Sequence, residues 1–341
     1  MKKLLTIALA GTALAALAAP ALAEDMPTVH LMVGGIDKQI YLPYQLAEGL
    51  GFYAKNGVKV ELSTEQDGGV GAEDAVVSGQ VEMAGAWYVH AIDFLAHGKN
   101  IIGIAQIGLA PGERIMCAKG TDVKVPTDWK GKAVGVTDLG SGTDDLVTYV
   151  SAHAGMGPTD YSKVAAHAGQ TMIAALKNGK IACGITTQPT VAAIEKLGVG
   201  YSAIDLSTGD GVKKWLGGTW PTATILANGD WVAKNKETTQ KVVTAIVETM
   251  HWINTHSAAE IADKLPKEFT SNKLVTKEEY IKALAADKGG FSPDGMMPDD
   301  GPATVAAVEK AAGKLKVDVD LKKTYTNDFV IAANKALGMA K

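Results

Sequence analysis

The stretch GGVGAEDAVVSGQVEMAG, Gly68 to Gly85, is echoed one hundred residues later by AGQTMIAALKNGKIACG, Ala168 to Gly184. A repeat at a fixed offset narrows the choice of fold, because both copies must bury the same faces in the same order. The echo reaches further than the two stretches. Gly35, Gly57, Gly69, Gly79 and Gly98 are answered by Gly135, Gly157, Gly169, Gly179 and Gly198. Chance would align about 1.4 of these glycines, so duplication is the better reading. Apolar positions agree too: Val33 with Ala133, Ile36 with Val136, Ala75 with Ala175, Val81 with Ile181.

Each copy is punctuated alike. VHLMVGG and KAVGVT read as short apolar strands. LPYQLAEGLGFYAKNG and TDDLVTYVSAHAGMG read as helices closing at Gly57 and Gly157, since glycine commonly ends a helix. VKVELS and KVAAHA are second strands, and AEDAVVSG and TMIAALKNG second helices ending at Gly79 and Gly179. VEMAGA and IACGITT are third strands, followed by the helices AIDFLAHG and TVAAIEKLG. Strands alternating with helices signal parallel α/β sheets, and continuous apolar strands suit sheets covered on both faces.

After the second copy the pattern turns mostly helical, with an apolar stripe in ETTQKVVTAIVETMHWINTH and another in PATVAAVEKAAGK. No third α/β unit is visible. The tail is therefore expected to pack back on the first lobe, leaving the second lobe as an insertion joined by two crossings. The expected division is a signal peptide over 1–23, the first part of lobe one over 24–115, lobe two over 116–221, and the return to lobe one over 222–341. The signal peptide is read from Lys2 and Lys3, the apolar run Leu4 to Ala19, and the Ala21-Leu22-Ala23 ending, with cleavage after Ala23. The remaining chain, about 318 residues, suits two domains better than one core. No Cys follows the cleavage site, so a lipid anchor is not expected.

The full chain carries a formal net charge of −4, and nothing in it resembles a basic nucleic-acid face. Cys117 and Cys183 are the two cysteines, both in apolar strand-like stretches. They could pair in an oxidising compartment; two buried free thiols is the default expectation. No Cys or His pair has zinc-ligand spacing, so neither a metal nor a cofactor is expected.

Four stretches in order carry a resemblance to a known family: LPYQLAEGLGFYAKNGVKVELS, GGVGAEDAVVSGQVEMAGA, DWKGKAVGVTDLGSGTDDL and TTQPTVAAIEKLG. Together they resemble the periplasmic substrate-binding proteins of nitrate/sulfonate/taurine-type ABC importers (NitT/TauA and SsuA), with the NMT1/THI5-like binders in the same superfamily. The resemblance implies a type II, two-lobed "Venus flytrap". Each lobe would be a mostly parallel sheet flanked by helices, with ligand in the interlobe cleft. It also implies a periplasmic location, a monomer, and permease subunits with an ATPase on the far side as partners. General physics agrees, because ligands of parallel α/β sheets sit outside the carboxyl ends of the strands.

Candidate ligand contacts follow. In LGSGTDDL, Ser141 can cap a helix with Asp144 three residues on, and first-turn amides attract anions. The resemblance assigns the matching turn to the ligand's anionic group, hence Ser141, Gly142 and Thr143. Asp144 and Asp145 already place negative charge at that start, which argues against nitrate unless they point away. Arg114 is the single arginine against 32 lysines, and its guanidinium fork suits a carboxylate or sulfonate. Trp87 and Tyr88 offer flat apolar surface with a polar tip, which favours an organic ligand. His90 reads as a helix-face histidine rather than a contact. Lys38, Gln39 and Tyr41 follow strand one; Gly69 precedes the second helix, and His167 and Gln170 are its counterparts in copy two. Thr187 and Gln188 follow the later strand, where the family commonly has an acid before the proline, and Trp220 lies near the second crossing. The expected function is binding of a small organic acid, sulfonate or related polar or aromatic molecule, without catalysis. An enzyme on the same fold or a receptor-coupled sensor are the alternatives. No G-x-S-x-G, H-E-x-x-H or P-loop motif is present.

Overall fold

A computed structural model describes residues 26–65 and 70–339. The expected signal peptide, its cleavage point and Gly69 lie outside the described residues.

The first unit runs β1 (Thr28–Val33), α1 (Leu42–Gly49), α2 (Phe52–Lys55), β2 (Lys59–Thr64), α3 (Val70–Ser78), β3 (Met83–Trp87), α4 (Val89–Ala96) and β4 (Ile101–Gln106). The second runs β5 (Glu113–Ala118), β6 (Ala133–Val136), α5 (Gly142–His153), β7 (Ser162–Ala165), α6 (Gly169–Lys177), β8 (Cys183–Thr187), α7 (Thr190–Lys196), β9 (Gly200–Leu206) and α8 (Gly209–Leu216). Then β10 (Ala223–Asn228) leads into α9 (Gly229–Lys234), α10 (Lys236–Thr255), α11 (Ala258–Ala262), α12 (Lys267–Thr270), α13 (Lys277–Asp287), α14 (Gly301–Ala311) and α15 (Asp328–Ala336).

Two five-stranded sheets result, ordered β2-β1-β3-β10-β4 and β7-β6-β8-β5-β9. The orders match position for position. In each sheet four strands are parallel, and the fifth is antiparallel to both neighbours: β10 in one, β5 in the other. These are the strands by which the chain enters the second sheet and re-enters the first. Strand β3 is wholly buried over MAGAW, as continuous apolar strands between two helical layers should be.

The duplication is genuine, but its ungapped register is not uniform. Met83 in β3 and Cys183 in β8 are true counterparts at an offset of 100. Their partners Leu31 in β1 and Val134 in β6 are 103 apart. Gly35 therefore lies beyond β1 whereas Gly135 is inside β6. The expected helix end at Gly157 is likewise corrected: α5 stops at His153, and Gly155 takes the left-handed conformation at φ 79°. That conformation closes a helix cheaply only for glycine. The connections before the first helix differ in length between copies, and a fixed offset cannot follow such a change.

The tail does more than return to the first sheet. Helix α10 packs on α1, α2 and β4, while α13 also touches α7 and α14 packs on α5. Arg114 forms a two-pronged pair with Asp287 at the end of α13 (2.9 and 2.7 Å). The main buried cluster runs without interruption from Val33 and Trp87 to Val136 and Leu146, so the two lobes stand in contact. Cys117 and Cys183 face each other across β5 and β8 and form a disulfide, which overturns the expectation of free thiols. Among the described residues no helix is long and apolar enough to cross a membrane.

Candidate functional site

The carboxyl ends of β1, β3 and β6 meet between the lobes, and the amino ends of α3, α4 and α5 point to the same place. An antiparallel strand inserted in a parallel sheet presents its start on the edge where its neighbours end. This puts Glu113, first residue of β5, beside Thr187, the last of β8. The pocket so formed encloses about 290 Å³ of space, its mouth included. Lys38, Ile40 and Tyr41 line it after β1, Trp87 at the end of β3, and Thr137, Ser141, Gly142 and Thr143 after β6; Glu73, His90 and Glu113 complete it.

Trp87 is its apolar wall. The ring lies against Gly142, where a Cβ would overlap it. Trp220 braces it edge-on from behind, with ring centroids 5.5 Å apart. A tryptophan of one lobe thus seats on the first helical residue of the other, which requires glycine at 142.

The opposite wall is the start of α5. Ser141 is its N-cap residue but makes no side-chain cap bond. Its hydroxyl instead donates to the Asp138 carbonyl (2.8 Å) and clusters with Thr137 (3.2 Å) and Thr143 (2.8 Å). The expected capping box is therefore absent, and Asp144 accepts from the Gly140 amide (2.9 Å) instead. First-turn amides without an intrahelical acceptor remain a partial positive charge at the pocket. Asp144 and Asp145 do not line the pocket; both are buried and paired with Lys163 and Lys314.

The charged groups of the pocket are deeply buried. Lys38 Nζ donates to the Gly34 carbonyl (2.8 Å), and burial lowers its pKa against the pull of Glu113. Burial pushes Glu113 up to about 8, opposed by Lys38 and Arg114, and its Oε2 has no hydrogen-bond partner. His90 Nε2 meets Glu73 Oε1 at 3.0 Å. Burial works against the histidine's charge, but Glu73 and Asp93 outweigh it and raise its pKa to about 10. Burial raises the Glu73 carboxyl, with His90 opposing. The pocket therefore holds both hydrogen-bond donors and acceptors, and both signs of charge.

Of the expected contacts, the structure brings Lys38, Tyr41, Trp87, Ser141, Gly142 and Thr143 together. Gln39 and Thr187 line a neighbouring apolar pocket of about 380 Å³, its open mouth included, with Leu284 and Phe291. Thr187 Oγ1 donates to the Gly112 carbonyl (2.7 Å), and the Gln39 amide bonds the Gln188 carbonyl across the lobes (3.1 Å). Gln188 Oε1 accepts from the Ala192 amide (3.1 Å). Trp220 supports Trp87 from behind. Tyr88 is buried away from the pocket, against Thr324 and the Tyr325 ring. Arg114 is committed to Asp287. His167 takes a positive φ of 53° and its amide bonds the Thr137 carbonyl (3.0 Å), while Gln170 is exposed. Sequence reading missed Ile40, Glu73, His90, Glu113 and Thr137. Glu73 and His90 stand in the first turns of two helices whose amino ends were expected at the cleft, and that signal could have found them. Nothing in the sequence marks Glu113, which reads as an ion-pair partner of Arg114.

Comparison with known proteins agrees with this architecture. Residues 40–260 match the family described as NMT1/THI5 like. A protein of Bordetella bronchiseptica RB50 is 31% identical, and its structure covers 92% of this chain and 99% of its own with a TM-score of 0.84. The periplasmic nitrate-binding protein NrtA from Synechocystis PCC 6803 is 19% identical, covering 92% and 89% at a TM-score of 0.71. The periplasmic aliphatic sulphonate binding protein SsuA from Escherichia coli is 16% identical, covering 89% and 99% at 0.65. The last two likenesses are of fold.

Proposed function

The chain belongs to the NMT1/THI5-like family, and we infer that it is the solute-binding component of an ABC importer, exported to the periplasm. It binds a small organic molecule between its lobes and delivers it, unchanged, to permease subunits. The observation that carries this reading is the pocket itself: two matching sheet edges enclose it, and residues of both lobes are its walls. NrtA and SsuA, by their names binders of nitrate and of aliphatic sulphonates, share that architecture. On this reading residues 116–221 are the moving half, and the two crossings beside them are the hinge. Closure is then driven by the ligand's stronger binding to the closed state.

The pocket's chemistry narrows the ligand. An acid group, carboxylate or sulfonate, takes the start of α5 at Ser141, Gly142 and Thr143. An N–H donor takes Glu113, whose buried oxygen needs one. The flat body lies on Trp87. A molecule that joins an acid group and an N–H donor to a flat ring satisfies all three; a small amino acid or amino-sulfonate satisfies the first two, an aminopyrimidine the last two, and bare nitrate one. Native mass spectrometry of gently purified protein, followed by calorimetric titration with taurine, small organic acids and aminopyrimidines, tests this. One class is expected to bind at micromolar dissociation constant or tighter, and to be recovered unchanged. No heat from any class would overturn the binding reading, and conversion to product would replace it with an enzymatic one.

A further inference from the structure

Away from the ligand pocket, α4, α5 and α14 pack against one another, and four carboxyl groups meet there. Asp93 from α4, Asp145 from α5 and Glu309 from α14 each bring an oxygen within 4.8 Å of the other two. Asp145 and Glu309 are buried, at 2% and 0% exposure. The fourth, Asp144, is held by Lys163. Lys314 reaches Asp144 at 3.3 Å and Asp145 more closely. His90 Nδ1 stands 3.6 Å from Asp93 Oδ2, but that ring is already shared with Glu73. Four carboxyl groups thus face two ammonium groups.

Glu309 is the anomaly. It is fully buried, and neither of its carboxylate oxygens has a hydrogen-bond partner. A buried carboxyl left so is costly. Separations up to 4.8 Å are those of oxygens arranged around one ion with metal–oxygen bonds of 2.3–2.6 Å.

We propose that Asp93, Asp145 and Glu309 bind one calcium-sized divalent cation, which bolts α5 of the second lobe to α4 and α14. The donor set is all oxygen, the choice of a hard ion, and it lacks the nitrogen or sulfur that zinc prefers. The Asp93 side chain, 32% exposed, leaves an entry path and room for water to complete the coordination. The ligands come from residues 93, 145 and 309, too far apart in sequence for any spacing rule to find. Because the ion joins both lobes, it favours the closed arrangement by mass action, whatever the organic ligand is.

The test uses the full mature chain stripped of metal with a chelator, and calcium chloride alone as probe. Calorimetry is expected to show one site per chain, with the melting temperature rising about 5 °C at a hundredfold excess over the dissociation constant. Asp93→Asn and Glu309→Gln should each weaken calcium binding at least tenfold. Asp93 is partly exposed, so its variant decides the matter should Glu309→Gln fail to fold. No calcium binding at millimolar concentration, or binding undiminished in Asp93→Asn, overturns the proposal. Both outcomes are read without organic ligand, so they stand apart from the fate of the transport reading.

Discussion

Glu113 is the residue at which the pocket's chemistry and the protein's stability are tied together. It sits 2% exposed at the start of β5, with Lys38, Arg114 and Asp287 as its charged surroundings. Burial holds its carboxyl up to about 8, so the folded state prefers the protonated form more than the unfolded chain does. The resulting stability is complete below the ordinary carboxyl range and is lost as pH rises towards 8. Denaturant unfolding of the ligand-free protein should therefore show stability falling between about pH 5 and 8, with roughly 3–5 kcal/mol of the fall due to Glu113. Glu309 and Glu73 shift the same way, so the diagnostic quantity is the difference between parent and Glu113→Gln. The variant should lose less stability over that range; equal slopes would show that this carboxyl is ionised throughout. His90 is the companion lesson. In sequence it is one histidine on an apolar helix, yet in space it completes an acid–imidazole–acid chain from Glu73 to Asp93.

Among the elements, β5 and β10 are the pair that turns a tandem repeat into two interleaved sheets. Each inserts antiparallel at the same position of its sheet, and neither lies within the hundred-residue echo. The disulfide belongs to this arrangement, for Cys117 of β5 can meet Cys183 only because β5 enters beside β8. It closes a span of 66 residues, long enough that losing it should cost about 2–4 kcal/mol. Replacing both cysteines by alanine should lower the urea midpoint accordingly, and the parent under reductant should behave like the variant. An unchanged midpoint in both would mean that strand pairing alone holds this edge. The three strand–helix pairs of each copy were legible in sequence because strand and helix periods differ and glycine marks their ends, whereas β4, β5, β9 and β10 were not, and the break at Gly51 that divides α1 from α2 was read through. The end of α5 was not legible either, because Gly155 and Gly157 offer the same local signal.

Over the whole molecule, the two lobes are facing halves that touch at Trp87 and Gly142, with α13 and α14 packed against helices of the second. A methyl group at 142 cannot coexist with the Trp87 ring in this position. Gly142→Ala should therefore hold the lobes apart, giving a larger radius of gyration in solution scattering than the parent under the same conditions. A Trp87→Ala change in the same chain should bring the radius back. Identical scattering from the parent and Gly142→Ala would show that this packing is not what closes the molecule.

The sequence by itself determined the duplicated α/β pattern, and the glycine-rich turn at Ser141 to Thr143 as one wall of a cleft. These are properties of short stretches, carried by periodicity and turn chemistry. Tertiary structure alone decided that Asp144 and Asp145 pair with lysines away from the pocket, that Arg114 is spent on Asp287, and that Glu73, His90 and Glu113 face the pocket. A charged side chain finds its partner among residues far away in sequence, as Arg114 finds Asp287, and its desolvation depends on everything packed around it. No local pattern holds that information, so only the folded chain assigns those charges their places.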